Sequence, residues 1–161
     1  MRQFKFTNLL GLLLALLLGM PAFAGDMAAD TNYKGWGLNS EYNQHYKLSE
    51  YDRFKGEIRE IVEIVPMEGM HPGVGIRVLD RDGYMVLVHL GPRGFLNPDN
   101  LGLREGDQVK VKGVWAMIGG NEVFMASKVK RGEYDEVKVR RTSNGKPFWV
   151  MTEAQREKHS N

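Results

Sequence analysis

The sequence predicts an all-β protein built round a small five-stranded barrel. Three observations lead to this prediction. Apolar and polar residues alternate over several runs, which is the period of a half-buried strand. Glycine-containing turns, Asp82-Gly83 and Gly119-Gly120-Asn121, separate runs that could pair as hairpins. No segment after the N-terminal leader competes with a helical period.

The first 24 residues have the features of a secretory signal peptide. Arg2 and Lys5 precede the apolar run LLGLLLALLLGM, and the following PAFA ends in the small residues of a cleavage site. The apolar run is shorter than the roughly 18 residues that a membrane-spanning helix needs. We therefore expect cleavage after Ala24, no stable membrane span afterwards, and a periplasmic or secreted location in a Gram-negative-type envelope.

Charge and cysteine content exclude several function classes. Cleavage after Ala24 would remove two of the 22 basic residues and none of the 20 acidic ones, which leaves a formal net charge of zero. A nucleic-acid role is disfavoured, because phosphate backbones select for a surplus of positive charge. The chain contains no cysteine, which excludes disulfides, thiol nucleophiles and haem attachment through CxxCH.

The barrel is predicted to begin after an N-terminal aromatic arm at residues 25–50, which are polar and aromatic without a sustained period. In FKGEIREIVEIV the apolar residues change parity near Glu60, which predicts a long strand with a bulge. Pro66 ends this strand. The alternating runs on either side of Asp82-Gly83 then predict a hairpin.

The connection GPRGFLNPDNLGLREGD is rich in Gly, Pro and Asn and predicts an irregular segment with at most a short helical turn. A second hairpin follows round Gly119-Gly120-Asn121. A long bent strand, a hairpin, an irregular connection and another hairpin outline an OB-type barrel over residues 51–131. Asn144-Gly145 predicts an additional C-terminal β-hairpin over residues 132–151, and a charged tail occupies residues 152–161.

Four separated pieces of the chain carry a family resemblance: GWGLNSEYNQHY, GVGIRVLDRDGYMVLVHLGP, REGDQVKVKGVW and NGKPFW. Together they resemble a group of secreted, single-domain bacterial OB-fold proteins of largely uncharacterised function, over about residues 35–149. The resemblance implies a periplasmic or outer-surface module that works beside electron-transfer or metal-handling proteins. It implies no catalytic residues.

His89 and a Met/His loop form the candidate metal site. Pairing about Asp82-Gly83 sets His89 opposite roughly residues 74–76, on the face of Ile76, Val78, Met85 and Leu87. Met67, Met70 and His71 precede the partner strand, and soft thioethers with imidazoles would suit a copper ion, Cu(I). The alternative is structural, because Met fills core gaps and a buried His is commonly hydrogen-bonded to the protein.

The arm and the C-terminal hairpin supply candidate partner-binding aromatics, namely Trp36, Tyr42, Tyr46 and Trp149. Trp and Tyr dominate the energetics of protein interfaces, although these rings could instead pack over the barrel. The segment KVKRGEYDEVKVRR is locally basic. It predicts either a solvated strand face or a surface for an anionic partner.

No residue pattern supports catalysis, since serines lack a nucleophile-elbow context and no carboxylate pair stands out. The sequence thus predicts an exported, non-catalytic OB-fold binding or assembly module without a cofactor, engaging a protein partner in an envelope or electron-transfer complex. The alternative is a soluble periplasmic copper-binding protein that uses the Met/His loop. A haem carrier with His159 and an oligosaccharide-binding OB face are weaker readings.

Overall fold

The structure is a computed structural model that describes residues 33–159. The predicted signal peptide, the first residues of the predicted arm (25–32) and residues 160–161 lie outside this part of the chain. Between residues 33 and 159, no helix combines the length and the apolar character needed to cross a membrane.

The described chain is mainly β-structure with short helical segments. Six strands follow in order: β1 is Tyr51–Ile64, β2 is Gly73–Asp80, β3 is Met85–Pro92, β4 is Gln108–Ile118, β5 is Asn121–Arg131 and β6 is Asp135–Lys138. Two short α-helices, α1 (Glu41–Gln44) and α2 (Glu153–Glu157), lie before and after the strands. Single 3₁₀ turns occupy Leu48–Glu50, Pro98–Asn100 and Phe148–Val150.

Five of the strands form a closed ring, which confirms the predicted fold class. The sheet order is β3-β2-β1-β4-β5-β6, and a parallel pairing of β3 with β5 closes the ring through Val88↔Phe124 and His89↔Met125. All other strand pairs are antiparallel. Strand β6 lies outside the ring and extends the sheet beside β5.

The bulge predicted near Glu60 is present in β1. The register with β2 shifts between Ile58 and Glu60, so Arg59 has no partner in the ladder. This extra residue lets a single strand pair with β4 at its start and with β2 at its end. The predicted hairpin between β2 and β3 is also present, and Gly83 at its turn has a φ of 91°.

Strand β5 is buried on both of its faces. Val123, Phe124, Met125, Ala126 and Ser127 are consecutive buried residues, whereas a surface strand would alternate. One face belongs to the interior of the ring, and the other is covered by the arm and by the chain that follows β6. The core therefore extends beyond the ring into a second layer outside it.

The predicted C-terminal hairpin is reduced to a single bridge. Arg140 and Pro147 pair across the Asn144-Gly145 turn, and the chain then enters a 3₁₀ turn. Hydrogen bonds from the Arg141 N–H to the Lys146 oxygen and from the Phe148 N–H to the Val139 oxygen flank this bridge, and the 3₁₀ turn at Phe148 ends the pairing. Strand β6, the first half of the predicted hairpin, pairs with β5. The charged tail contains α2, whose start carries a capping box formed by Thr152 and Gln155.

Two glycines allow the arm and the chain that follows β6 to lie directly on strand backbone; from here on, residues 139–159 are called the tail. A Cβ added to Gly73 in β2 would overlap the indole of Trp36. A Cβ added to Gly91 in β3 would lie 2.7 Å from Cζ3 of Trp149. These glycines, near the end of the β2–β3 hairpin, are where the two tryptophans dock.

Candidate functional site

The arm and the tail meet in a cluster of aromatic rings on the outside of the ring of strands. Trp36 and Tyr42 are fully or almost fully buried (0% and 1% exposed), and their ring centroids are 4.8 Å apart. Trp149 packs edge-on to Trp36 at 5.8 Å. The backbone oxygen of Trp36 accepts hydrogen bonds from Nε1 of Trp149 and from Nδ2 of Asn43, both at 2.8 Å. Residues more than a hundred positions apart in sequence are thus joined at one carbonyl.

His89 lies beneath this aromatic cluster. The prediction of which residues share its face of the sheet was partly wrong. It pairs with Gly75, as the hairpin register predicted, but Ile76 pairs with Val88, so Ile76 and Val78 face the core on the opposite side of the sheet. His89 shares its side of β3 with Met85 and Leu87. The imidazole is nevertheless buried (4% exposed), because the arm covers this side.

The hydrogen bond of His89 is made to the arm. Its Nδ1 lies 3.2 Å from the hydroxyl of Tyr42, and the two rings stack with centroids 6.0 Å apart. Burial, together with the nearby charge of Arg140, lowers the pKa of His89 to about 4. Burial raises the pKa of Tyr42 to about 12. Both groups are therefore uncharged at neutral pH when they share this hydrogen bond.

The four predicted metal ligands have different surroundings. Met70 is buried against Gly35 of the arm, and Met67 packs at the margin of the core. His71 is exposed, and its backbone oxygen accepts a hydrogen bond from Nε1 of Trp36 at 2.8 Å. Over residues 33–159, no three His, Cys, Asp or Glu side chains come together as a group that could hold a metal ion. Copper binding by Met67, Met70, His71 and His89 stays a prediction.

The predicted partner-binding aromatics lie against the barrel. Trp36, Tyr42 and Trp149 are buried, and Tyr46 is partly buried beside them. These rings join the arm and the tail to strands β2 and β3, so little of their surface faces outward. Partner binding through them stays a prediction.

A set of cations occupies the outer face of three neighbouring strands. Residues directly opposite each other in antiparallel strands project from the same face. One row therefore contains Arg53, Lys112 and Lys128, and the next contains Lys55, Lys110 and Lys130. We call these six residues the cationic face: Arg53, Lys55, Lys110, Lys112, Lys128 and Lys130.

The charges of the cationic face are largely uncompensated. Of the six, Lys128 has an ion-pair partner within residues 33–159, Glu136 at 2.9 Å, and that carboxylate is shared with Lys138. The charge of Arg53, followed by a small burial effect and by Lys112, Lys55 and Lys130, lowers the pKa of Lys110. Like charges placed directly opposite one another weaken a sheet. This arrangement therefore works against stability and calls for another explanation.

Two shallow clefts lie beside the cationic face. Each has a volume of about 480 Å³, and both are lined by Lys55, Lys110 and Arg81. The rim also carries acidic groups, because Asp80 and Asp82 line one cleft and Glu133 lines the other. Exposed aromatic residues, Tyr84 and Tyr134, adjoin these rim segments in sequence.

The cationic face could not be recognised as a unit from the sequence. The local basic character of residues 128–141 was visible, but four of the six residues of the face come from β1 and β4. The signal lay in three alternating segments, RFK, KVK and KVK, whose cations are two residues apart. This signal can be interpreted only once the strand register is known, because the register shows that the three pairs of cations are neighbours.

The comparisons with known proteins bear on the same region. No curated protein and no solved structure matches the chain. The model of the MamS/MamX magnetosome protein family matches residues 50–135, just over half of the chain. This segment contains β1 to β5 and all six residues of the cationic face. The chain therefore belongs to the MamS/MamX magnetosome protein family.

Proposed function

We propose that this protein is an exported, non-catalytic binding module of the magnetosome that holds an acidic protein partner on its cationic face. The observation that supports this most directly is the placement of six like charges in register on three strands, five of them without an ion pair in residues 33–159. An anionic partner bound to this face would neutralise the positive charges and remove their mutual repulsion, which would stabilise the complex.

The rim of the face favours a protein over a lipid surface or a nucleic acid. Asp80, Asp82 and Glu133 at the rim would be repelled by a continuous anionic surface. They can pair with basic side chains of a protein partner. The exposed rings of Tyr84 and Tyr134 are of the residue type that dominates protein interfaces.

A non-catalytic role also agrees with the surroundings of the perturbed titratable groups. His89 and Tyr42 are hydrogen-bonded to each other and are almost completely buried. General acid–base catalysis requires a group within hydrogen-bond reach of a substrate. In this arrangement the imidazole stabilises the docking of the arm.

The proposal can be tested with two variants that remove equal charge. One replaces Lys55, Lys110 and Lys130 by Gln. The matched control replaces Arg59, Arg77 and Arg93 by Gln. These three arginines lie outside the cationic face, and each pairs with a glutamate. Both are expressed as full chains in magnetosome-forming cells, and the isolated magnetosome fraction is washed at increasing salt concentrations.

We expect the cationic-face variant to be released at lower salt than the wild type, and the control to behave like the wild type. Equal release of both variants would contradict the proposal. A photo-crosslinker at position 112, with one at position 59 as its control, identifies what contacts the face. Cross-linking to an acidic protein that persists after lipids are removed with detergent supports a protein partner, and cross-linking to lipid alone overturns it.

A further inference from the structure

A small cleft opens on the side of the sheet that carries His89. Its volume is about 260 Å³. Most of its walls are apolar side chains from the end of β1, from β3 and from the hairpin between β4 and β5, including Val62, Ile64, Leu87, Ile118 and Val123. Small-molecule sites are typically concave and mainly apolar, with a few placed polar groups. The cleft contains no residue of the cationic face among the described residues that line it, so the two surfaces are separate.

A glycine in β2 lets the cleft reach His89. Gly75 pairs with Val62 on one side and with His89 on the other, so the three residues share one face of the sheet. A Cβ added to Gly75 would lie 3.0 Å from Cγ2 of Ile64 and 3.4 Å from Cγ2 of Val62, which shows how closely the β1 side chains approach this glycine. The middle strand therefore places no side chain between Val62 and the imidazole.

One ring nitrogen of His89 is available in the cleft. The residue is 4% exposed and lines the cleft. Its Nδ1 is used by the Tyr42 hydroxyl at 3.2 Å, and no hydrogen bond joins its Nε2 to any of residues 33–159. Nε2 is not among the unpartnered side-chain atoms that are closed to solvent in this part of the chain. The small exposure of His89 therefore includes Nε2, which can reach a ligand in the cleft.

The charges round the cleft favour a neutral ligand. Glu63 and Arg77 line it with opposite charges, and each already has an ion-pair partner of its own. Burial, and then the charge of Arg140, lower the pKa of His89 to about 4, so the imidazole is uncharged at neutral pH. A charged ligand would lose hydration in this cleft without gaining a counter-ion. The imidazole can therefore serve as a hydrogen-bond partner for an uncharged group.

The ligand needs one polar atom attached to an apolar body. A neutral imidazole nitrogen donates or accepts a hydrogen bond, depending on the tautomer, and a hydroxyl group can do both. An apolar cavity of about 150 Å³ holds one benzene ring, so a cleft of about 260 Å³ has room for one ring with a hydroxyl. A rigid ring also loses less conformational freedom on binding than a flexible aliphatic alcohol.

We propose that this cleft binds a small, neutral phenol, with its hydroxyl hydrogen-bonded to Nε2 of His89 and its ring against Val62, Leu87 and Val123. The site is independent of the cationic face and of the partner proposed for it. The ligand is bound and not transformed, because His89 is the one unpaired titratable group among the described residues that line the cleft.

The phenol p-cresol is the defining probe, with toluene and hexanol as comparisons. Binding to the purified protein at neutral pH is followed by the NMR signals of the His89 imidazole. We expect p-cresol to shift these signals in a saturable way. Toluene fills the same space without the hydroxyl, so it should bind about 5-fold more weakly, which corresponds to one uncharged hydrogen bond. Hexanol keeps the hydroxyl but should also bind more weakly, because its chain must be ordered.

Leu87→Trp is the decisive variant, because replacing His89 would also disturb the docking of the arm. Leu87 lines the cleft and is partly exposed, so an indole can occupy the cleft without entering the core. It should weaken p-cresol binding by about ten-fold or more, because it takes the place of the ligand. Met85→Trp is the matched control. Met85 lies two residues earlier on the same side of β3, is 54% exposed and does not line the cleft, so affinity should be unchanged.

The outcomes separate a phenol site from a cleft that holds only water. Absence of saturable shifts at His89, or equal affinity for p-cresol and toluene, would overturn the proposal without any variant. Undiminished binding to Leu87→Trp, or an equal loss in Met85→Trp, would show that the ring binds elsewhere. Binding of hexanol as tight as that of p-cresol would overturn the assignment to a phenol. The peptide Gly-Gly-Tyr-Gly-Gly tests a tyrosine side chain as the source: tighter binding than p-cresol would overturn the assignment to a small molecule, and equal or weaker binding supports it.

Discussion

The protein holds its positive charges in two contrasting ways. On the cationic face, six side chains lie opposite one another across three strands and depend on water for solvation. At Arg140, a single guanidinium is almost completely removed from water and is surrounded by three aromatic rings. The first arrangement weakens the fold and leaves charge available to a partner. The second places a charge inside the fold, where it joins the arm, β5 and the tail.

This contrast indicates which cations can be changed without harm to the fold. A lysine such as Lys110, which has other cations as its charged neighbours, can be lost with a relief of repulsion. Arg140 touches rings that also hold Trp36 and His89 in place. The number of positive charges in a region therefore says little about stability, and the surroundings of each charge decide the sign of its effect.

The largest effect is expected from Arg140→Ala. It removes the packing of the guanidinium against Tyr42, Tyr46 and Trp149 and leaves a cavity, so we expect a loss of about 3 kcal/mol in the free energy of unfolding. Arg140→Met retains the length of the side chain and should lose less. Arg81→Ala, at an exposed position beside the cationic face, should change the free energy of unfolding by less than about 0.5 kcal/mol. Urea unfolding of the three variants measures this, and equal losses for Arg140→Ala and Arg81→Ala would remove the contrast.

A loss of stability of similar size is expected at acid pH. Burial and the charge of Arg140 lower the pKa of His89 from 6.5 to about 4, so between these pH values the unfolded chain binds a proton that the folded chain does not. Stability contributed by neutral His89 is therefore complete above about pH 6.5 and lost as the pH falls towards 4, up to about 3 kcal/mol. Tyr42 and Arg140 act directly on the imidazole, and Glu63 and Arg77 line the same cleft as His89.

Unfolding measured at several pH values should show this slope in the wild type. His89→Gln removes the titrating group and should flatten the profile over the same range. A profile unchanged by His89→Gln would show that other groups cause the acid sensitivity.

A smaller effect, of opposite sign to that of Arg140→Ala, is expected on the cationic face. Lys110→Gln removes one of the cations that face Arg53, Lys55, Lys112 and Lys130, so it should increase the free energy of unfolding at low ionic strength. The increase should decrease as salt is added, because exposed charges are screened. Arg77→Gln is the control, since Arg77 pairs with Glu60 and its loss removes an attraction. Stabilisation by both variants would mean that net charge, and not cross-strand repulsion, is responsible.

The smallest effect is expected from Glu136→Gln. This carboxylate contacts both Lys128 and Lys138 at 2.9 Å, and these lysines hold its pKa below the usual range. Its removal should cost roughly 0.5 kcal/mol, as for other surface ion pairs. It should also strengthen retention on magnetosomes, because the cationic face gains charge. Weaker retention of Glu136→Gln would contradict the role of that face.

The sequence predicted the barrel because each strand carries its own evidence. Alternation, the change of parity near Glu60 and the Asp82-Gly83 turn are local signals, and each is present in the structure. The parallel closure of β3 on β5 is not a local property. The sequence predicted an OB-type barrel but not this pairing, which the structure shows between Val88 and Phe124.

The candidate sites were harder to predict because they depend on contacts between distant segments. The face of His89 was misjudged since Ile76 pairs with Val88, a difference of one residue in register. Arg140 belongs to the segment predicted as either a solvated strand face or a surface for an anionic partner. Its burial depends on rings from the arm and the tail. The six cations of the cationic face become neighbours only through the register of three strands. Neither the burial of Arg140 nor the cationic face can be recognised from the periodicity of the sequence.

The two-sided burial of β5 has a practical consequence for anyone expressing this protein. A fragment limited to residues 50–135, the part matched by the family, would lack Trp36, Tyr42 and Val139, which belong to the same buried core as Met125. The Ser127 carbonyl would also lose the amide hydrogens of Val139 and Arg140. A fragment trimmed to the homologous boundaries should therefore be poorly soluble. A shortened recombinant version that behaves well should retain at least residues 33–151.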